Sequence, residues 1–238
     1  MRIGIAGCGL IGGSLARALR DAHDVRAYDP AGTGDIPAAA RLEDLLPADV
    51  VVVATPLSEV VPTLRALAGR AGRAVLMDVG SLKREVAAFA DAAPAAARIV
   101  GGHPMAGTTD RGLAAARADL FAGRPFFLVP TSRSDEGAMT IAGDVARAAG
   151  AIPTVVSARE HDRIVAVLSG LPLLVARALA RVGADVADLG GPGFRDATRL
   201  AGTPPELADA LLRGNATEVR AALVKLQAAL DDAERELG

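Results

Sequence analysis

Short apolar runs alternate with segments of helical periodicity along the first two thirds of the chain. The runs predicted as strands are Arg2–Ala6, Val25–Tyr28, Val50–Thr55, Ala74–Asp78, Ile99–Gly101, Pro125–Val129 and Ile152–Val156. Leu10, Leu15 and Leu19 fall on one stripe of a helix between the first two runs, and 135–149 predicts another helix. Strands that alternate with helices indicate βαβ units and a mainly parallel sheet.

The last third of the chain carries helical patterns only. The helices predicted there are Arg159–Val182, Pro204–Arg213 and Ala216–Glu236. Pro172 lies inside the first of them and is expected to kink it or break its hydrogen-bond ladder. The predicted fold class is therefore α/β, with a sheet domain over residues 1–157 and a C-terminal all-α domain over residues 158–238.

Composition narrows the class of protein. The chain has 238 residues, which is enough to bury a core without disulfides or a metal. Its 26 Lys and Arg against 28 Asp and Glu lack the basic excess of a nucleic-acid-binding surface, so we expect no nucleic-acid partner. Only Lys83 and Lys225 are lysines, which we interpret as a compositional bias toward arginine. No metal site is predicted.

Three features of the sequence indicate where in the cell the protein is located. The single cysteine, Cys8, cannot form an intramolecular disulfide, which favours a reducing compartment. The N-terminus lacks the apolar run and cleavage site of a signal peptide. No stretch reaches the ~20 uncharged apolar residues of a membrane span. We expect a cytoplasmic protein with no membrane partner.

A glycine-rich loop follows the first predicted strand and opens the first helix. Gly7 permits a tight turn, Gly9 lets a pyrophosphate approach the backbone, and Gly12 lets the helix pack close to the strand. The N–H groups at the start of the helix, around Leu10 and Ile11, would then hold the phosphates. The pattern predicts a Rossmann-like sheet domain that binds a dinucleotide.

Asp29 indicates which dinucleotide this would be. It ends the second predicted strand, 17 residues after Gly12, near the expected spacing for a ribose-binding acid. A carboxylate there accepts hydrogen bonds from both ribose hydroxyls and repels a 2′-phosphate. Pro30 and Ala31 follow instead of an arginine, so NAD is favoured over NADP. The alternative is that Asp29 is only a turn residue before Pro30.

Two predicted strand ends carry candidates for chemistry. His103 follows a short strand, and the ligand crevice of an open α/β sheet lies at the carboxyl ends of its strands. It is a candidate general base, with a structural histidine as the alternative. Ser81 follows the neighbouring strand and either reaches the same crevice or caps the next helix, or does both.

Several motifs together resemble one enzyme family. In chain order they are Gly7–Leu15, Ala54–Pro56, Asp78–Lys83, His103–Thr108, His161–Asp162 and Gly193–Ala201. They resemble the prephenate and arogenate dehydrogenases of tyrosine biosynthesis, a part of aromatic amino acid biosynthesis. The resemblance covers most of the chain, and its most specific blocks are HPMAG and FRDATR.

The resemblance implies an oxidoreductase that carries out NAD-dependent oxidative decarboxylation of prephenate to 4-hydroxyphenylpyruvate. His103 would polarise or deprotonate the ring hydroxyl as hydride leaves, and Ser81 would hydrogen-bond the same hydroxyl. Arg199 would hold a substrate carboxylate, for which a planar guanidinium is suited. Thr108 would line the substrate pocket, and Thr55 would contact the cofactor.

This sequence also departs from the family pattern. The family usually reads Ser-His-Leu-Pro-His where this chain has Gly170 and Leu173 in place of the two histidines. A family tryptophan corresponds to Ala208. We expect a pocket that is larger, differently polar or reshaped, and a substrate that is prephenate, arogenate or an amino-substituted relative. The roles of His161 and Asp162 stay open.

Other functions remain as alternatives. A hydroxyacid dehydrogenase would need a catalytic lysine in the helical half, where only Lys225 lies. A non-catalytic NAD-binding relative is favoured by Gly170 and Ala208. It is opposed by the intact Ser81, His103 and Arg199. The C-terminal helices predict a homodimer, by analogy with small dehydrogenases, and otherwise only cover one end of the sheet.

Overall fold

The computed structural model describes residues 1–107 and 110–237. It divides the chain into two compact units, Met1–His161 and Asp162–Gly238. The sequence places the boundary between residues 157 and 158, four residues before this division. The first unit carries the sheet, and the second is helical.

One seven-stranded sheet forms the first unit. Its strands are β1 (Arg2–Ala6), β2 (Asp24–Tyr28), β3 (Val50–Val53), β4 (Val75–Asp78), β5 (Arg98–Pro104), β6 (Pro125–Pro130) and β7 (Ile152–Val155). Their order is β2-β1-β3-β4-β5-β6-β7, and every neighbouring pair is parallel except β5 with β6. The strand order reverses at β1, which makes a ligand crevice between the carboxyl ends of β1 and β3. The predicted Rossmann-like α/β fold is confirmed.

Helices cover both faces of this sheet. They are α1 (Leu10–Leu19), α2 (Leu57–Ala68), α3 (Arg84–Ala92) and α4 (Glu136–Ala148). One face packs against α1 and α4 through residues such as Leu15 and Val145, and the other against α2 and α3 through Leu64 and Val86. Val50–Val53 is buried throughout, because a central strand between two helical layers meets no water.

Strand β5 extends further than the sequence predicts. The predicted strand ends at Gly101, whereas the structure continues it to Pro104. Residues 102–104 pair with the antiparallel strand β6, and His103 lies opposite Phe127. The expectation that His103 follows the strand was therefore wrong. Strand pairing with β6 is a non-local contact that the local pattern does not show.

The helical unit begins within a nearly continuous helical stretch. Its elements are the end of α5 (Ala158–Val165), α6 (Leu171–Val182), α7 (Pro192–Thr198), α8 (Pro205–Gly214) and α9 (Ala216–Arg235). A π-helical turn over Ala166–Gly170 separates α5 from α6, where the Leu171 N–H donates to the Ala166 carbonyl, five residues back. This break in the ordinary helical ladder lies just before Pro172, which has no N–H to donate.

The stretch Ala158–Val182 is long and apolar enough to cross a membrane, judged by length and composition alone. Its most apolar window has a mean hydropathy of 1.8 and is 28% buried. Arg177 interrupts its uncharged run, and the core helix of a soluble protein meets the same two criteria.

Candidate active site

The glycine-rich loop lies in the crevice between β1 and β3. Gly7 has a φ of +96°, and a Cβ there would lie 2.6 Å from the Ala54 carbonyl oxygen. A Cβ on Gly12 would overlap the Gly7 carbonyl, so the close packing of α1 requires glycine at this position. A Cβ on Gly9 would meet nothing within 4 Å, which leaves open space over the first turn of α1.

This open space fits a phosphate-bearing ligand. The first N–H groups of a helix, here those of Leu10 and Ile11, have no carbonyl partner within the helix and attract anions. Thr55 follows β3 at the same crevice, and its Oγ1 is buried without a hydrogen-bond partner among the described residues. A buried hydroxyl that lacks a partner is costly, so a polar ligand group is expected beside it.

Asp29 connects the end of β2 to the glycine-rich loop. Its Oδ2 accepts a hydrogen bond from the Cys8 N–H at 2.6 Å, and its Oδ1 accepts one from the Ala31 N–H at 2.8 Å. Each carboxylate oxygen has a second lone pair, so this turn geometry leaves acceptors for ribose hydroxyls. Burial and the charge of Asp29 raise the pKa of the Cys8 thiol to about 11, so Cys8 stays protonated.

Ser81 lies three residues beyond β4, at the same edge of the sheet as the crevice. Helix α3 begins at Arg84, and the residue at its N-cap is Lys83. The alternative that Ser81 caps this helix is therefore wrong. Ser81 is half-buried, on a loop that follows a parallel strand adjacent to β5.

His103 is hydrogen-bonded to a second histidine. His103 Nδ1 lies 2.9 Å from His161 Nε2, and the two ring centroids are 5.1 Å apart. His161 is fully buried and also makes an edge contact with the Phe127 ring. Because Nδ1 of His103 is engaged by His161, Nε2 is the nitrogen that remains for a substrate.

The His103 environment disfavours the charged imidazolium. Burial lowers the pKa of His103 well below 6.5, and the charges of His161 and Lys83 lower it further. His103 is therefore neutral at neutral pH, which is the form that accepts a proton.

Asp78 and Lys83 form a buried ion pair that sequence reasoning missed. Lys83 Nζ contacts Asp78 Oδ2, and neither side chain is exposed. The Gly80 N–H also donates to Asp78 Oδ2, at 2.9 Å. Burial raises the pKa of Asp78, and the Lys83 charge opposes this shift. One signal was available in the sequence: Lys83 is a lysine in a chain whose other basic residues, apart from Lys225, are arginines.

Two further residues, Thr108 and Arg199, are predicted from the sequence to bind the substrate. Thr108 lies outside the described residues. Arg199 belongs to the helical unit, where it follows α7 and is exposed. Asp162, whose role the sequence left open, is buried in that unit, and its carbonyl accepts a hydrogen bond from the Asn215 side chain at 2.6 Å. This bond ties the start of α9 to α5.

The two departures from the family pattern are buried positions. A Cβ on Gly170 would lie 2.8 Å from Val219 Cγ2 of α9, and Leu173 is 2% exposed. Ala208 is fully buried in α8. Within the helical unit, the Val219 side chain therefore occupies the space that a side chain at position 170 would need.

Two surface cavities, of about 510 and 720 Å³, lie at the opposite edge of the sheet. They share Arg73 and Arg98 as lining residues. Arg98 already contacts Asp135 at 2.7 Å and donates to the Arg73 carbonyl at 2.9 Å. In the part of the chain that the structure describes, no group of three or more metal-ligating side chains is placed to hold an ion. The glycine-rich loop, Ser81 and His103 lie at the carboxyl edge of the sheet.

Two family models match nearly the whole chain. Residues 18–154 match the nucleotide-binding domain of prephenate dehydrogenase, and residues 157–237 match its dimerization domain. The chain belongs to the prephenate dehydrogenase family. The resemblance seen in the sequence motifs is thereby confirmed. The glycine-rich loop precedes the first matched residue, so its assignment depends on the geometry of Gly7, Gly9 and Gly12.

Individual relatives carry the names of prephenate and arogenate dehydrogenases. The chain is 31% identical to prephenate dehydrogenase of Bacillus subtilis, over 85% of this chain and 61% of that protein. Synechocystis arogenate dehydrogenase is 29% identical, with a TM-score of 0.84 over 98% of this chain and 90% of that one. Prephenate dehydrogenase from A. aeolicus, crystallised with hydroxyphenyl propionate and NAD+, is 25% identical, with a TM-score of 0.88 over 99% and 90%. The chain spans about three fifths of the length of the first curated relatives it matches.

Proposed function

We propose that this chain is an NAD-dependent prephenate dehydrogenase, which converts prephenate to 4-hydroxyphenylpyruvate with loss of CO₂. The observation that carries the proposal is the neutral His103, hydrogen-bonded to His161, at the sheet edge that also holds the nucleotide crevice. Membership of the prephenate dehydrogenase family supports it.

The residues of the crevice fit NAD. The N–H groups at the start of α1 would hold the pyrophosphate over Gly9, and Thr55 Oγ1 would gain a polar partner. Asp29 would accept hydrogen bonds from the ribose hydroxyls, and its charge disfavours the 2′-phosphate of NADP. When bound, NAD supplies the hydride acceptor.

His103 would act as the general base toward the ring hydroxyl. His103 Nδ1 lies 2.9 Å from His161 Nε2. With the Nδ1–H donated to His161, the lone pair of His103 Nε2 would take the hydroxyl proton as the ring carbon loses hydride. The ring carboxylate then leaves as CO₂, and its bonding electrons complete the aromatic ring. Ser81, on the adjacent strand end, would hydrogen-bond the same hydroxyl and orient it.

Arg199 and Thr108 would bind the substrate. The exposed guanidinium of Arg199 suits a bidentate pair with a substrate carboxylate. Thr108 follows the HPMAG block and would line the pocket beside His103.

Arogenate is the second candidate substrate. It carries the same ring, hydroxyl and carboxylate, so the chemistry at His103 is unchanged. The observation that favours it is the 29% identity to Synechocystis arogenate dehydrogenase over 98% of this chain. An amino-substituted prephenate would fit the same reaction class.

The helical domain would form a homodimer in the cytoplasm. Its matched family model is a dimerization domain, and its helices expose large apolar side chains. Among them Leu168 is 59% exposed and Val182 is 80% exposed, on the same helical stretch. Static light scattering of the purified chain tests this, and a monomer at micromolar concentration would contradict it.

The first experiment follows NADH formation with prephenate and arogenate side by side. A rate with prephenate that exceeds the rate with arogenate supports the proposal, and the reverse order assigns the arogenate reaction. Tight NAD binding without turnover of either compound would contradict both assignments and favour the non-catalytic relative. NADP in place of NAD serves as the cofactor control.

A further inference from the structure

The Asp78–Lys83 ion pair is fully buried at the carboxyl end of strand β4. Neither side chain is exposed, and Lys83 is among the largest fully buried side chains of the described chain. A buried ion pair is often no more stable than apolar residues of the same volume, because both charges lose their hydration. Such a pair at a strand end beside the candidate base therefore calls for a role other than stability.

The strand register brings Lys83 to the same face of the sheet as His103. Asp78 of β4 pairs with Gly101 of β5, so their side-chain directions share one face. A Cβ on Gly101 would lie 3.0 Å from Lys83 Cδ, which means that the lysine stem occupies the space of the missing side chain. Strand side chains alternate with a period of two, and His103 therefore points to the face on which Lys83 lies.

We propose that Lys83 is a positioning residue for the base: anchored by Asp78 in the space that Gly101 leaves open, it holds a fixed positive charge on the sheet face to which His103 points. The proposal depends on the assignment of His103 as the base of the proposed reaction.

The charges around His103 support this role. Within the sheet unit, the groups that face it are Lys83 before α3, His161 on α5 and Phe127 on β6, with Asp78 behind Lys83. A second positive charge on His103 would be repelled by Lys83 in a poorly hydrated setting. Asp78 fixes the ammonium in place and balances its charge when His103 is neutral.

The test is an NMR titration of the histidines in the full chain, without substrate. The chain has three histidines, and His103→Asn and His161→Asn variants assign their signals. In the native protein we expect His103 to titrate well below pH 6.5. In the double variant Lys83→Met with Asp78→Asn, which removes both charges, we expect its midpoint to rise.

A matched control uses the exposed pair at the other edge of the sheet. Arg98→Met with Asp135→Asn should leave the His103 midpoint unchanged. An unchanged midpoint in the Lys83 double variant would overturn the proposal. If that variant does not fold, the native titration decides, because a His103 midpoint at or above 6.5 also overturns it.

A second readout separates this proposal from the proposed function. The acidic limb of the kcat/KM profile should move upward with the His103 midpoint in the double variant, whereas a purely structural role would lower the rate at every pH alike. If neither prephenate nor arogenate is turned over but the NMR midpoint shifts, the role of Lys83 stands and the proposed function fails.

Discussion

Two ion pairs lie at opposite edges of the same sheet, and the pKa of the aspartate shifts in opposite directions in the two pairs. At the amino edge, Arg98 holds the pKa of Asp135 down to about 2, chiefly through their hydrogen bond. At the carboxyl edge, Lys83 contacts Asp78, yet the pKa of Asp78 is raised. The side chains are 20% and 58% exposed in the first pair and fully buried in the second.

The difference shows that burial, and not the presence of a partner, decides the sign of the shift. Water still solvates the Asp135 carboxylate, so its charged form is already favourable and the contact with Arg98 favours that form further. Asp78 has lost its water, and one lysine does not replace it. The carboxyl edge is therefore where burial moves pKa values away from their ordinary range, as is common at sites of acid–base chemistry.

The largest expected effect comes from removing the base at the carboxyl edge. His103→Asn should lower kcat by about 10³-fold, because a positioned proton acceptor is lost. NAD affinity, measured by fluorescence titration, should stay nearly unchanged. Arg98→Met at the amino edge is the control and should keep full activity. A His103→Asn variant with native turnover would place the chemistry elsewhere.

The two ion pairs should also differ in how much they contribute to the free energy of unfolding. Lys83→Met leaves Asp78 buried without its charge partner, and we expect a loss of roughly 3 kcal/mol in the free energy of unfolding. Arg98→Met leaves an exposed carboxylate that water solvates, so its effect should be clearly smaller. Urea denaturation of the two variants makes the comparison, and equal losses would contradict it.

Gly170 extends the comparison to a buried position without charge. Gly170→His restores the family residue but places a side chain against Val219, so we expect a loss of about 1–3 kcal/mol in the free energy of unfolding. Adding Val219→Ala should recover part of it. Ser169→His, at a half-buried neighbouring position, is the control. A Gly170→His variant of native stability would show that the π-helical turn and α9 separate easily.

A smaller effect is expected at the nucleotide crevice. Asp29→Ser removes a charged acceptor, and hydrogen bonds to charged groups contribute about 1.5 kcal/mol or more, so KM for NAD should rise about tenfold. The preference for NAD over NADP should fall at the same time. Asp29→Asn, which keeps an oxygen for the Cys8 N–H, separates loop geometry from charge. An unchanged preference would mean that Asp29 does not contact the ribose.

The smallest expected effect concerns the pH profile, in which kcat/KM should stay constant over one range of pH. Because the pKa of His103 lies well below 6.5, its neutral form persists as pH falls from about 8 to about 6.5. The part of kcat/KM that depends on this base should therefore stay level over that range and decline only at lower pH. A decline centred near pH 6.5 would show an ordinary histidine and remove the contrast between the two edges.

The sequence predicted the elements whose signal is local. The buried run Val50–Val53 and the glycine-rich loop after β1 are specified by neighbouring residues, and the structure has both where they were expected. The extension of β5 to Pro104 was missed because it depends on pairing with β6, more than 20 residues away.

Partners within the candidate site were missed for the same reason. His161 lies 58 residues after His103, and no spacing rule connects them. Lys83 was visible in the DVGSLK block, but its burial beside Gly101 depends on the register between β4 and β5. Gly170 was noticed as a departure, whereas the side chain that fills its place, Val219, comes from a distant helix.

The place of His161 in the chain has a consequence for how such proteins are recombined. The nucleotide-binding family model ends at residue 154 and the dimerization model begins at residue 157, so His161 is inherited with the second module. Its ring nevertheless contacts His103 of the first. A chimera joined at the border between the two family models would therefore exchange His161, the hydrogen-bond partner of the base, along with the helices. A fragment cut there would retain the nucleotide crevice but lose His161.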